Sequence, residues 1–220
     1  MLKIWGRRNS QNVQKAMWLI GELELAHEHV DAGGKFGGLD TQEFRAMNPN
    51  GKVPVIKDGE LVLWESLAIL RYLAARYGRD NKAGRFWSDD AAQRAPADQW
   101  MDWSATSLQP AFINGIFMAY YRTPEALRNP QQVENGAQMV GGLMLMLDAQ
   151  LAGKKYVLGD ALSLADIPIA CNLYRYFGID VPKPKLPNVE AYYARLTERP
   201  AYRQHVMVSF ADMKGVAVAR

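Results

Sequence analysis

The sequence predicts a mixed α/β domain at the N-terminus, followed by an all-helical domain that forms a bundle. Three observations lead to this prediction. Strand and helix patterns alternate over residues 1–78 in the order β-α-β-α-β-β-α. Within them, Asp58-Gly59 separates two apolar runs, which is a strong signal for a tight hairpin. From Ser88 onward, every periodic pattern is helical.

The elements of the N-terminal domain follow from apolar spacing and from turn residues. A β-α-β segment requires a right-handed crossover and therefore a parallel strand pair. The hairpin adds antiparallel strands, so we expect a mixed four-stranded sheet. The predicted elements are a strand at 2–5, a helix at 12–24, a weak strand at 27–30, a short helix at 41–47, strands at 53–57 and 60–64, and a helix at 65–77.

A change of character after Gly78 predicts the domain boundary. Residues 79–85 are polar and charged and show no periodicity, which is typical of a linker. We therefore expect domains at 1–78 and 89–220, joined by a linker at 79–88. The C-terminal helices are predicted at 91–121 (as one helix, or as two with a break at Pro110), 130–151, 163–176 and 189–197, with a last short helix from Pro200.

Composition narrows the functional class. The 220 residues carry a formal net charge of only +3, from 26 basic and 23 acidic side chains, which does not indicate a nucleic-acid-binding protein. A single cysteine rules out an internal disulfide. No secretory leader pattern and no apolar run long enough to span a membrane is present in the sequence. The expectation is a soluble protein of the reducing cytoplasm, with no membrane partner.

The segment around Val53-Pro54 predicts a binding edge. Proline cannot donate to a sheet ladder, so it belongs at the start of a strand or on an edge. A cis Val53-Pro54 bond would make a tight turn and leave the backbone of Val53 able to pair with an extended ligand. Glu65-Ser66 opens the next helix, whose first N–H groups favour an anion. Together these features predict a small acidic peptide as the ligand.

A second local signal lies in the helical domain. Ser163-Leu164-Ala165-Asp166 has the spacing of a capping box, with Asp in the position usually held by Glu or Gln. Leu162 and Ile167 are spaced for a hydrophobic staple. We interpret this motif as purely structural.

The ordered motifs resemble those of the cytosolic glutathione S-transferases. The likeness extends over nearly the whole chain and rests on 48–54 (NPNGKVP), 65–73 (ESLAILRYL) and 162–166 (LSLAD). It implies a thioredoxin-like, glutathione-binding N-terminal domain, an all-helical C-terminal domain and a homodimer. Among the classes of the family, the chain is similar to a bacterial serine-type member near theta and phi. The implied activity is a detoxifying transferase with glutathione as co-substrate and no metal.

The resemblance also implies the residue that activates the thiol. Ser10-Gln11-Asn12-Val13 stands where the theta and phi classes have Ser-x-Pro before the first helix, and Asn12 replaces the proline. Ser10 would donate a hydrogen bond to the glutathione thiolate. Because of the replacement, Asn12 is an alternative contact for the sulfur. A purely structural alternative is that Ser10 only caps the helix.

The remaining site residues follow from the same resemblance. Ser66 would bind the α-carboxylate of the γ-glutamyl group, and Glu65 would bind its ammonium group. Val53, turned by Pro54, would pair with the cysteinyl backbone. Lys52 would pair with the glycyl carboxylate, and Asp98 would reach across the dimer to the γ-glutamyl ammonium. For each of these two residues, an ordinary solvated surface position is the alternative.

Two other functions remain open at the level of sequence. One is a glutathione-binding or protein-interaction module with little turnover. The other is a glutathione-dependent peroxidase or disulfide reductase. Asn12 keeps disulfide chemistry through bound glutathione possible. A Cys-x-x-Cys mechanism is excluded because no cysteine precedes Cys171. The sequence does not identify the electrophile.

Overall fold

The computed structural model describes residues 1–79 and 86–216. By their contacts, the residues form two compact units: Met1–Asp89 with Pro200–Val208, and Asp90–Arg199 with the residues from Ser209 onward. Most of the predicted linker lies outside the described residues. The predicted boundaries of the two domains stay a prediction.

The first unit contains the predicted mixed four-stranded sheet. Its strand order is β2-β1-β3-β4. Strand β1 pairs in parallel with β2 and antiparallel with β3, and β3 pairs antiparallel with β4. The strands are β1 (Leu2–Trp5), β2 (His27–Val30), β3 (Val55–Asp58) and β4 (Leu61–Trp64), and the helices between and after them are α1 (Gln11–Glu22), α2 (Gln42–Met47) and α3 (Ser66–Tyr77).

The hairpin differs from its prediction by one residue. Asp58 pairs with Leu61, so the two turn residues are Gly59 and Glu60 rather than Asp58 and Gly59. Gly59 has a φ of +60°, which is the conformation that glycine adopts without strain. Asp58 stays in the strand, where its carboxylate accepts hydrogen bonds from the hydroxyls of Tyr72 (2.7 Å) and Tyr77 (2.5 Å) of α3. These tertiary contacts tie the hairpin to α3.

The last helix, α9 (Pro200–His205), packs against α1 within the first unit. The rings of Trp18 and Tyr202 meet edge to face, with centroids 4.9 Å apart. Gly21 allows the close approach, because a methyl group there would come within 2.8 Å of Cδ2 of His205. A helix that follows most of the second unit in sequence thus completes the core of the first.

The second unit is helical. Residues 104–108 and 113–122 are π-helical, so a helical path runs from Ala91 to Arg122 through Pro110 with no break there. The described helices are α4 (Ala91–Trp103), α5 (Gln109–Phe112), α6 (Pro130–Gln150), α7 (Asp166–Gly178) and α8 (Pro187–Thr197). None of the described helices combines the length and the apolar character that a membrane span needs.

The capping motif before α7 is formed only in part. The Asp166 carboxylate reaches back to Ser163 as predicted, but α7 begins at Asp166 rather than at Ser163, its N-cap is Ala165, and the Ser163 hydroxyl donates to the carboxylate instead of capping the helix. The carboxylate accepts hydrogen bonds from the backbone N–H (2.8 Å) and hydroxyl (2.8 Å) of Ser163. It also accepts from the N–H of Val157 (2.9 Å) and the hydroxyl of Tyr192 (2.9 Å). Burial raises the pKa of the Asp166 carboxyl, and these hydrogen bonds oppose the shift.

Replacing Asp166 with Ala removes the acceptor of four buried hydrogen bonds. We expect a loss of about 3 kcal/mol or more in the free energy of unfolding, because each buried unsatisfied donor costs about 1–3 kcal/mol. Asp166→Asn keeps one acceptor oxygen and should cost less. Ser163→Ala, the control, removes one hydroxyl and should cost about 1 kcal/mol. Urea unfolding followed by circular dichroism measures all three, and equal losses for Ala and Asn at position 166 would contradict this account.

His205 makes the stability of the first unit depend on pH. Burial, with smaller contributions from the charges of His27, Arg8 and His29, lowers the pKa of His205 to about 4. Between pH 6.5 and about 4 the unfolded chain binds a proton that the folded chain does not, so stability falls as pH drops through this range. The full effect is about 3 kcal/mol. In unfolding experiments at several pH values, His205→Gln should flatten this slope. His27→Gln should reduce it only slightly, because the charge of His27 contributes less to the pKa shift than burial does. A wild-type slope in His205→Gln would refute the assignment.

Candidate active site

The ends of three strands meet at one edge of the sheet. Trp5 pairs with Val55, and Val55 pairs with Trp64, so these residues form one row across β1, β3 and β4. The residues that follow Trp5, precede Val55 and follow Trp64 therefore emerge at the same end of the sheet. These are the segments that carry Ser10, Val53 and Glu65-Ser66.

Gly6 brings the first two of these segments into contact. A methyl group at Gly6 would lie 2.4 Å from Cγ2 of Val13 in α1 and 3.0 Å from Cβ of Val53. The φ of Gly6 is +148°, which is also unfavourable for other residues. The start of α1 and the segment before β3 therefore pack on either side of a residue that has no side chain. Sequence reasoning missed Gly6, although a glycine directly after a strand is a recognisable signal for close backbone approach.

Val53 presents an open peptide edge. The Val53-Pro54 bond is cis, and β3 begins only at Val55. The N–H and C=O groups of Val53 form no hydrogen bond with any residue in the described ranges. Pro54 is buried and Val53 is half-buried. A backbone donor and a backbone acceptor thus lie next to each other, directly before a buried proline.

Asn48 holds the loop that leads to Val53. Its side chain is only 2% exposed. The Asn48 amide donates to the carbonyl of Lys52 (2.8 Å), and its oxygen accepts from the backbone N–H of Asn50 (3.0 Å). The side chain of Lys52 is exposed. In the sequence, Asn48 is recognisable only as part of the 48–54 motif. Its bracing role depends on its burial, which only the structure reveals.

Glu65 and Ser66 begin α3 in an unusual conformation. Glu65 stands at the N-cap position with φ +69° and ψ 114°, and its side chain makes no capping hydrogen bond within the described part of the chain. For a residue other than glycine, such a conformation costs about 1–3 kcal/mol. The Glu65 side chain is exposed, while Ser66 is 7% exposed and supplies the first backbone N–H of the helix.

Ser10 occupies the N-cap position of α1 without capping it. Its φ and ψ of −80° and 123° are typical of a cap, yet its hydroxyl forms no capping bond to any described residue. This differs from the alternative in which Ser10 only caps the helix. The first turn of α1 has no acidic side chain, so the positive end of the helix dipole is not compensated there.

Asn12 is oriented by a buried lysine. The ammonium group of Lys15 donates to Oδ1 of Asn12 at 3.0 Å, and Lys15 is only 1% exposed. Because Oδ1 accepts from Lys15, the NH2 group is the donating end of the Asn12 side chain. The lysine also adds a positive charge to the first turns of α1.

Asp98 belongs to a different unit from the other predicted site residues. It is half-buried on α4, which belongs to the second unit, whereas Ser10, Asn12, Val53 and Ser66 belong to the first. Among the described residues, no group of three or more His, Cys, Asp or Glu side chains is arranged to hold a metal ion.

Comparison with known proteins identifies the family. Residues 1–75 match the family model described as "Glutathione S-transferase, N-terminal domain", and residues 108–200 match "Glutathione S-transferase, C-terminal domain". Glutathione S-transferase GstB of Escherichia coli (strain K12) is 43% identical over 94% of this chain and 99% of its own. Glutathione S-transferase 3 of Zea mays is 29% identical over 93% of both chains.

A solved structure agrees with these matches. The theta class glutathione S-transferase from Xanthomonas axonopodis pv. citri, crystallised with glutathione bound, is 42% identical and superimposes with a TM-score of 0.87. The match covers 94% of this chain and 98% of that one. By both family models and by these relatives, the chain belongs to the glutathione S-transferase family.

Proposed function

We propose that this chain activates the thiol of glutathione for attack on a small apolar electrophile. The observation that carries the proposal is the uncommitted hydroxyl of Ser10 at the start of α1. A free thiol has a pKa of about 8.5, so most of it is protonated at neutral pH, and the thiolate is the nucleophile. The site must therefore stabilise an anion next to the thiol.

Three features of α1 support this role. The Ser10 hydroxyl can donate to sulfur because it is not used in capping. The unpaired N–H groups of the first turn favour an anion. The ammonium of Lys15, in the next turn of the same helix, orients Asn12 by donating to its Oδ1. A hydrogen bond to a charged group is worth about 1.5–3 kcal/mol, which corresponds to about one to two pKa units for the thiol.

The rest of the peptide would lie along the open edge before β3. The N–H and C=O of Val53, presented by Pro54, would pair with the cysteinyl backbone. The hydroxyl and N–H of Ser66 suit the α-carboxylate, and the exposed Glu65 suits the ammonium group. Lys52 is exposed and can approach the glycyl carboxylate.

We further propose a cytoplasmic homodimer with a role in detoxification. In such a dimer, Asp98 of one copy would face the γ-glutamyl ammonium bound by the other. Conjugation to a charged tripeptide makes an apolar electrophile soluble in water, which suits this role. Crosslinking and size-exclusion chromatography test the dimer.

Replacing Ser10 with Ala should lower kcat/KM with glutathione and a chloronitrobenzene about tenfold to a hundredfold. The pKa of the bound thiol, followed by thiolate absorbance, should rise by about one to two units. Glutathione affinity should change little, because the hydroxyl contacts only the sulfur.

Asn12→Ala is the matched variant for the competing donor. Unchanged turnover in Ser10→Ala, with loss in Asn12→Ala, would transfer the donor role to Asn12. If the wild-type protein binds glutathione but turns over none of a broad panel of electrophiles, the protein is a binding module instead. Turnover of hydroperoxides alone would favour a peroxidase.

Replacing Asn48 with Ala should weaken glutathione binding rather than chemistry. The change removes the bonds that hold Lys52 and Asn50, so the edge at Val53 is no longer held in place before the ligand arrives. We expect KM for glutathione to rise about tenfold with kcat within about twofold. Asn50→Ala, which keeps the Asn48–Lys52 bond, is the control. A fall in kcat with unchanged KM would contradict the bracing role.

A further inference from the structure

A large cavity lies entirely within the second unit. Its volume is about 880 Å³, which falls in the range of small-molecule sites. One wall is the middle of α6, and the other is the segment Pro182–Pro184 after α7. The walls are mainly apolar and include Val133, Ala137 and Leu145. Leu145 is 50% exposed, so the cavity is open to solvent along this side.

Arg128 stands at one end of the cavity in a fixed orientation. Its Nε donates to the carbonyl of Tyr120 (2.9 Å) and is close to that of Thr123 (3.3 Å). Its guanidinium also lies over the Tyr120 ring, 4.2 Å from the centroid. The two terminal nitrogens form no hydrogen bond or ion pair with any residue of the described ranges. Two parallel donors on a held guanidinium match the two oxygens of a carboxylate.

The other charged groups of the cavity are arranged differently. The Lys183 ammonium donates to the carbonyls of Ile179 (2.5 Å) and Val181 (3.2 Å), and burial lowers its pKa. Glu134 is exposed and accepts from two neighbouring glutamine side chains at 3.5 Å. Glu125 is exposed and is not in ion-pair contact with Arg128. Lys183 thus has one N–H group left, whereas Arg128 keeps the donors of both its terminal nitrogens available among the described residues.

We propose that this cavity binds a small amphipathic carboxylate. The carboxylate would form a bidentate pair with Arg128, and the apolar body would lie between α6 and Pro182–Pro184. This site shares no residue with the glutathione edge, so the inference goes beyond the proposed function and does not depend on it.

Titration calorimetry with decanoate tests the site. The wild-type protein should bind one decanoate per chain, and decanol should bind at least about tenfold more weakly, because it lacks the charge that pairs with Arg128. Arg128→Ala should weaken decanoate binding about tenfold or more. Lys154→Ala removes the same charge from an exposed position on the same unit and should leave binding unchanged.

Gly142 allows a second variant that does not touch Arg128. It lines the cavity, and a Cβ atom there would meet no other atom within 4 Å, so a side chain can start from this position without a clash at its first carbon. Gly142→Trp should fill the cavity and abolish decanoate binding, while Gly142→Ala should retain it. Thermal unfolding checks that both variants fold, and glutathione conjugation should stay at the wild-type rate in both.

Several results would overturn the proposal. These are the absence of decanoate binding, equal affinity for decanol, and decanoate binding that persists in both Arg128→Ala and Gly142→Trp. Displacement of decanoate by glutathione would likewise place the ligand elsewhere. A failure of glutathione binding leaves the decanoate result intact, so the two proposals are tested separately.

Discussion

The pairing of Trp5 with Val55 and of Val55 with Trp64 is the constraint on which the candidate site depends. Side chains and chain ends that are distant in sequence emerge together because these three residues share one row of the sheet. A slip of one residue in either ladder would turn every side chain of that strand to the opposite face. It would also move the segments before β3 and after β4 out of line.

Backbone groups, more than side chains, make this edge suitable for a peptide. Val53 offers a donor and an acceptor, and Ser66 offers the first N–H of α3. Asn48 braces the loop that precedes Val53. Glu65, in its strained conformation, immediately precedes Ser66. The fold thus holds these backbone groups in place. The few side chains nearby are then available to contact the charged groups and the sulfur of a peptide ligand.

Local signals in the sequence were sufficient for the element order. The alternation of apolar residues predicted the strands, and Pro200 predicted α9. Val53-Pro54 and Glu65-Ser66 predicted the edge that carries the candidate site. The hairpin was wrong by one residue, because the bonds from Tyr72 and Tyr77 to Asp58 are tertiary contacts that no local pattern reveals. Asn48 and Arg128 were missed for the same reason: their roles depend on what packs against them.

The placement of α9 has a consequence for how the chain acquires its structure. The first unit is discontinuous, since Tyr202 and His205 lie against α1 while the second unit occupies the chain between them. During synthesis, Trp18 must therefore wait for nearly the whole polypeptide before its neighbour arrives. A protein cut short at Arg199 would keep every strand of the sheet and yet leave an apolar face of α1 exposed to water, where it would favour aggregation.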